Sequence, residues 1–231
     1  MLGISERTAA ILASSLPSIV VPGLLVTLPL ALVSFSLGLV LASVVALVRH
    51  ARVPLASQLA RIYVWVFRGT PLLVQLYVAF YGLPDLGLML EPIPAAILVF
   101  SLNTGAYASE TLRGALSAVP QGQMEAALSQ GFTYLGAMRY IVGPQALRAA
   151  FPPLFNELIS LVKDTSLAAN ITVLEMLMAT QRIVSRTYET LPLYLEVAAI
   201  YLLFSSALAW LQGLGEKRLA RTARSCTAQA A

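Results

Sequence analysis

The side chains with most chemistry to offer lie inside long apolar stretches. On a helical wheel Asn156, Glu157, Ser160, Lys163 and Asp164 fall within an arc of about 120°. Leu154, Phe155, Leu158, Ile159, Leu161 and Val162 take the other side. Asn103, Tyr107, Glu110 and Gly114 follow i, i+4, i+7 and i+11 and share a second face. An ionisable group at mid-bilayer costs about 2.5 to 3.5 kcal/mol even on lenient scales, so these stripes must face each other, a partner or a translocation path. A third feature is Arg68-Gly69-Thr70-Pro71. Thr70-Pro71 reads as an N-cap and N1 pair, and Gly69 tolerates unusual backbone angles, which predicts a helix interrupted near mid-membrane. The freed N–H groups and positive dipole end suit a carboxylate. Nothing points to catalysis: HExxH and G-x-S-x-G are absent, and the one histidine, His50, sits in a loop. Cys226 is the only cysteine, so no intrachain disulfide forms.

The elements that position these groups follow from composition. Of 231 residues, 58% are hydrophobic and 11% charged, against about 25% charged in soluble domains. With a mean hydropathy of +0.78, this predicts an all-α polytopic membrane protein and excludes a soluble enzyme. The net charge of +4 does not imply nucleic acid. Five spans are predicted, at about 24–48, 59–83, 93–112, 153–174 and 191–214, in one domain over 1–231. Ala9 to Pro22, with Pro17 and Pro22, reads as a short interfacial helix retained in the mature chain. Arg49, Arg52 and Arg61, then Arg113, Arg139 and Arg148, then Lys217, Arg218, Arg221 and Arg224 fall on one side, which the positive-inside rule makes cytoplasmic. The N-terminus is then outside and the C-terminus inside. Asp85, Glu91 and a mixed loop with Glu175, Arg182, Arg186 and Glu189 fall on the outer side.

The segment from about 113 to 152 is too long for a simple connection. It reads as a helix at Gln123 to Gln130, a stop at Gly131, and a second helix at about Tyr134 to Ile141, which Pro144 prevents from simply continuing. Such a block suits a docking surface.

Its spacing, Glu125-Ala126-Ala127, then Gly131, Ile141 and Pro144, resembles the EAA signature (E-A-A-x3-G-x9-I-x-L-P) of type I ABC importer permeases, with Gly143 in place of Leu. Arg68-Gly69-Thr70-Pro71-Leu72-Leu73-Val74-Gln75, the Leu102 to Tyr107 block with Glu110 and Arg113-Gly114, and Lys163-Asp164-Thr165-Ser166-Leu167 resemble the polar amino acid branch of that family. The resemblance implies a second permease subunit, itself or a paralogue, two ATP-binding subunits, an extracytoplasmic binding protein, and a place in the bacterial cytoplasmic membrane. This chain is then a transport subunit with no cofactor or metal of its own, and ATP and Mg act on the partner. The absence of any Gly-Lys dipeptide, hence of a P-loop, agrees. Glu125, Ala126, Ala127, Gly131, Ile141 and Pro144 would form the coupling surface, with Glu125 stabilised near a helix N-terminus.

The substrate candidates are Arg68, Gly69, Thr70, Leu72, Gln75, Asn103, Tyr107, Glu157, Ser160 and Asp164. A substrate α-carboxylate would sit near Thr70 and Leu72, helped by Arg68, with Glu157 or Asp164 facing the ammonium. Two acids on the fourth span favour a cationic amino acid; Lys163 and Arg68 keep glutamine, glutamate or cystine open. Structural alternatives stand beside these roles: Arg68 snorkelling to the interface, a Glu110–Arg113 surface pair, an inter-helix partner for Lys163 or Asp164, an interfacial Glu196, and Trp65, Tyr77 and Tyr81 as belt aromatics. The competing function is a secondary transporter driven by an ion gradient, with Glu110, Glu157 and Asp164 relaying protons.

Overall fold

The computed structural model describes residues 6–50 and 54–228. Arg52, and the side chains of His50, Arg221, Arg224 and Cys226, lie outside the described residues. Among those described, every regular element is helical. Two stretches, Glu6–Arg49 and Thr190–Leu219, are long and apolar enough to cross a membrane unbroken. Two bent pairs bring the candidates to four: Pro54–Gly69 with Leu72–Leu86 at 107°, and Tyr134–Ile171 with Met176–Thr187 at 51°.

Helices α1 (Glu6–Pro22) and α2 (Leu28–His50) are joined by a π turn at Gly23–Thr27, so the apolar N-terminal segment is no separate interfacial helix. Proline removes a donor from the helical ladder, and the wide turn just after Pro22 lets the rod continue. Tertiary contacts hold α1 upright. Ser15 donates to Glu196 at 2.6 Å, Ile19 is fully buried, and a Cβ on Gly23 would lie 2.7 Å from the Met176 sulfur.

Helix α5 (Pro92–Ala118) spans 27 residues, about 40 Å at 1.5 Å per residue. It is too polar to count as a span on composition because it lies within the bundle. Phe100, Ala106 and Ala108 are fully buried, and Ser101, Thr104 and Ser109 are buried beside them. Small residues let its neighbours close in: a Cβ on Gly38 would meet Thr104 at 2.8 Å, and one on Gly105 would meet the Tyr63 hydroxyl at 2.8 Å. Leu30, Leu76, Phe100, Val162, Ile171 and Val173 form the main core around α5.

Helix α3 (Pro54–Gly69) gives way to α4 (Leu72–Tyr77), which passes through a π turn at Val78–Gly82 into a short 3-10 turn. Helix α6 (Gln121–Ser129) and α7 (Tyr134–Ala137) precede a π turn at Met138–Val142 and α8 (Gly143–Asp164). Before Pro144 the α-helix does not continue simply: it widens into the π turn, Pro144 stands in the first turn of α8, and the helical path then runs on past Pro152 and Pro153. The segment expected as a loop from 113 to 152 is shorter, because Arg113 lies within α5 and Arg148 within α8; Arg61 likewise lies within α3. A 3-10 turn at Thr165–Ile171, α9 (Met176–Thr187) and α10 (Thr190–Ala228) complete the order.

Candidate functional site

The break between α3 and α4 organises the site. Thr70 precedes a proline, which drives it out of helical geometry, and Pro71 is extended at φ −64°, ψ 136°. A chain broken here strands carbonyls at the end of α3. The Gln75 amide recovers them, donating to Phe67 O at 2.9 Å and to Thr70 O and Oγ1 at 3.1 and 2.9 Å. Asn103 on α5 donates to Phe67 O at 3.3 Å and to Gln75 Oε1 at 3.1 Å. The N-cap position is Pro71, where Thr70 was predicted; the Thr70 hydroxyl turns back to donate to Val66 O at 2.9 Å. No side chain caps α4, so its first N–H groups stand open at the break.

That end of α4 forms one wall of a cleft of about 550 Å³, with α5 and α8 as the others. Thr70, Leu72, Asn103 and Tyr107 line one side, and Glu157, Ser160 and Asp164 the other. Seven of the ten sequence candidates thus meet across three helices. Glu157 Oε1 accepts from Thr111 at 2.7 Å, while its buried Oε2 has no hydrogen-bond partner. Asp164 is half-buried and makes no hydrogen bond or ion pair among the described residues, and Lys163 beside it is exposed. The inter-helix partner expected for this pair is therefore missing there. Arg68 does not line the cleft; its guanidinium stands 5.2 Å from the centre of the Tyr107 ring. Gly69 touches nothing that a side chain would meet. Gln75 is set back from the cleft, with both ends of its amide engaged in holding the break.

The segment from 119 to 142 builds a second surface. Helix α6 ends in a Schellman motif: Phe132 N–H donates to Ala127 O at 3.1 Å and Gly131 N–H to Leu128 O at 3.0 Å. Gly131 takes the left-handed conformation this needs, with φ +85°. Thr133 caps the next helix by accepting from Gly136 N–H at 3.1 Å. Ala127 is buried beneath α6, whereas Ala126, Leu128, Phe132, Leu135 and Tyr140 are exposed. Gln145 ties α8 to this unit, donating to Gln123 Oε1 at 3.2 Å and Ile141 O at 3.0 Å. Glu125 falls in the second turn of α6, since the helix begins at Gln121, so the expected dipole stabilisation does not reach it. Gly143, the departure from the signature, has a local cause. Its N–H closes the π turn onto Met138 O, and a Cβ there would lie 2.5 Å from that oxygen.

Two polar helix walls thus flank a broken helix, and a helix-Gly-helix block joins α5 to α8. Residues 37–221 match the family of binding-protein-dependent transport system inner membrane components. The chain belongs to that family. It is similar to the L-cystine transport system permease protein TcyB of Bacillus subtilis (strain 168), 42% identical over 200 residues covering 86% of each chain. It is also similar to the octopine transport system permease protein OccM of Rhizobium radiobacter, 40% identical over 196 residues, 81% of this chain and 80% of that one. In three dimensions it resembles an amino acid ABC transporter structure with histidines, at a TM-score of 0.83 and 33% identity over 87% of this chain and 94% of that one. The MetNI methionine ABC transporter shares the fold at 0.69 and 17% identity, covering 93% of this chain and 99% of that one. This permease is thus an inner-membrane transport subunit, and none of these matches supports the ion-gradient alternative.

Sequence reasoning missed several polar groups of the permease. Glu175 was placed in an outer loop. It is fully buried at the N-terminus of α9, accepting from Leu177 N–H at 2.9 Å, Met178 N–H at 2.7 Å and the Tyr201 hydroxyl at 2.7 Å. An acidic residue just before the apolar run Met176-Leu177-Met178 was the available signal for an N-cap. Glu110 pairs with Arg113 at 2.7 Å as expected, and Arg49 on α2 also bonds it. Tyr81, more than half exposed, also donates to Asn170 O at 3.1 Å.

Proposed function

We propose that this permease imports a polar amino acid across the bacterial cytoplasmic membrane by alternating access, driven by ATP and Mg on two partner subunits. A second permease subunit completes the path, and an extracytoplasmic protein delivers the substrate. The reading rests on one observation above others. The cleft sets the uncapped N-terminus of α4 against Glu157, whose buried Oε2 lacks a partner. Those two ends are complementary to a zwitterion: open N–H groups for an α-carboxylate, a carboxylate with spare acceptor capacity for an ammonium. Thr70, Leu72, Asn103, Tyr107 and Ser160 are its remaining contacts in this reading, and Arg68, braced on Tyr107, adds positive field from the rim. With Glu157 and Asp164 both lining the cleft and no cation among the lining groups, a cationic amino acid suits it better than an acidic one. Relatives named for cystine and octopine, and a fold relative solved with histidines, support the amino acid class. The exposed apolar groups at 126–140 with Glu125, Ala126, Gly131, Ile141 and Pro144, backed by the buried Ala127 rather than including it, are the surface we assign to the ATP-binding subunits, which puts that end and the C-terminus in the cytoplasm.

The test is uptake into proteoliposomes containing the permease, its ATP-binding and binding-protein partners, with and without internal ATP, beside Glu157→Gln. ATP-dependent uptake and a loss of about tenfold or more in apparent affinity for the variant are expected, since a charge-assisted bond is worth about 1.5 to 3 kcal/mol. Equal affinity in Glu157→Gln removes this residue from the site. Uptake that follows a proton gradient without ATP removes the importer reading.

A further inference from the structure

A second polar pocket, sharing no lining residue with the cleft, lies where the end of α2, the start of α3 and the end of α5 converge. It encloses about 410 Å³ and is lined by Arg49, Pro54, Ser57, Arg61 and Arg113. Three arginines from three helices line it, and one carboxylate, Glu110, pairs with two of them. Glu110 spends Oε1 on Arg49 and Oε2 on Arg113, and Arg61 has no ion-pair partner among the described residues. Three arginines less one acid leave a balance of +2 in one concavity. Like charges so placed repel, and an anion entering between them relieves that repulsion. Pro54 opens α3, so the positive end of that helix dipole adds to the same field, and Ser57 supplies a hydroxyl donor.

The surroundings say which anion. Pro54, Ser57, Arg61 and Trp65 follow i, i+3, i+7 and i+11 along one stripe of α3. Trp65 is 75% exposed, and Leu55, Leu59 and Ile62 are exposed on the adjoining stripe. A cationic pocket therefore stands at the head of an uncovered apolar face that carries Trp65 farther along the helix. A free phosphate would fill the pocket and leave that face bare; a lipid covers both. We propose that the pocket binds the phosphodiester headgroup of an anionic phospholipid, whose acyl chains lie along Leu59, Ile62 and Trp65. The proposal rests on this chain being a membrane protein and is independent of the substrate cleft.

The test is native mass spectrometry of the assembled transporter released from nanodiscs holding equal phosphatidylglycerol and phosphatidylcholine, for wild type, Arg61→Gln, Arg61→Lys and Ser57→Ala. Wild type should retain phosphatidylglycerol selectively. Arg61→Gln should lose roughly fivefold of that retention, the effect of one basic residue near an anionic surface, and Arg61→Lys should restore most of it. Ser57→Ala, which removes only the hydroxyl, should weaken retention less than Arg61→Gln does. Equal retention of both lipids by wild type overturns the proposal, as does unchanged selectivity in Arg61→Gln. Displacement of phosphatidylglycerol by millimolar inorganic phosphate with no lipid preference would assign the pocket to a free anion. Loss of the ATP-binding subunits from Arg61→Gln with lipid retention intact would assign it to an acidic protein surface.

Discussion

Replacing Gln75 by leucine tests whether the break between α3 and α4 is held by one amide. The substitution keeps a similar volume and removes both ends of the amide. Gln75 donates to Phe67 O, Thr70 O and Thr70 Oγ1 and accepts from Asn103. An NH2 group has two hydrogens, so its three acceptors share them, and about three bonds are lost in all. Phe67 O keeps Asn103 at 3.3 Å, but Thr70 O loses its donor. At about 0.6 kcal/mol per bond inside a membrane protein, rising to about 1 to 3 kcal/mol for an acceptor left unsatisfied, the loss should be about 2 to 3 kcal/mol. It should fall on the α3–α4 break. Thermal unfolding of the purified permease in nanodiscs reads the stability, and substrate titration of the assembled transporter reads the cleft, whose Thr70 and Leu72 wall depends on the break. A double-mutant cycle with Asn103→Ala should show coupling of about 1 kcal/mol, because the two amides bond each other. If Gln75→Leu unfolds with wild-type stability and binds substrate with wild-type affinity, the amide does not hold the break.

Substitutions at three further positions probe other joints of the permease. Gly143→Leu, which restores the residue of the EAA signature, should destabilise by about 1 to 3 kcal/mol in thermal unfolding, since even its Cβ would stand 2.5 Å from Met138 O; unchanged stability would mean the π turn is dispensable. Gly131→Ala should cost about 1 kcal/mol through its left-handed φ of +85°, with open space around the new methyl, and should lower transport-coupled ATP hydrolysis while substrate affinity is retained; equal loss of both would contradict a coupling role. Glu175→Ala should cost about 2 kcal/mol or more, because it uncaps α9 and leaves the Tyr201 hydroxyl without its carboxylate; a smaller loss in Glu175→Gln, which keeps one acceptor oxygen, would support the cap as the cause.

The all-α membrane class, the break before Pro71 and the stop at Gly131 were legible in the chain because each is local. Composition decides the solvent, a proline restricts its predecessor, and only glycine takes a left-handed turn cheaply. The polar stripes of α5 and α8 were legible too, since helical periodicity alone puts Asn103 and Tyr107, or Glu157 and Ser160, on one face. What those stripes meet was not. Gln75 had the same standing as Thr70 in the sequence, yet the fold turns its amide inward to hold the break and leaves Thr70 at the cleft, because the longer side chain reaches back to the carbonyls freed at Phe67 and Thr70. The first helix shows the same limit: Pro17 and Pro22 argue locally for a short segment, and only packing against Met176 and Glu196 makes it a 44-residue rod. Glu175 reads as a loop acid until burial against Tyr201 reveals a cap. Sequence alone therefore determined the solvent, the local backbone exceptions and the polar faces. Tertiary structure decided which polar groups satisfy one another and which are left with spare bonding capacity, because that depends on distances between helices far apart in the chain.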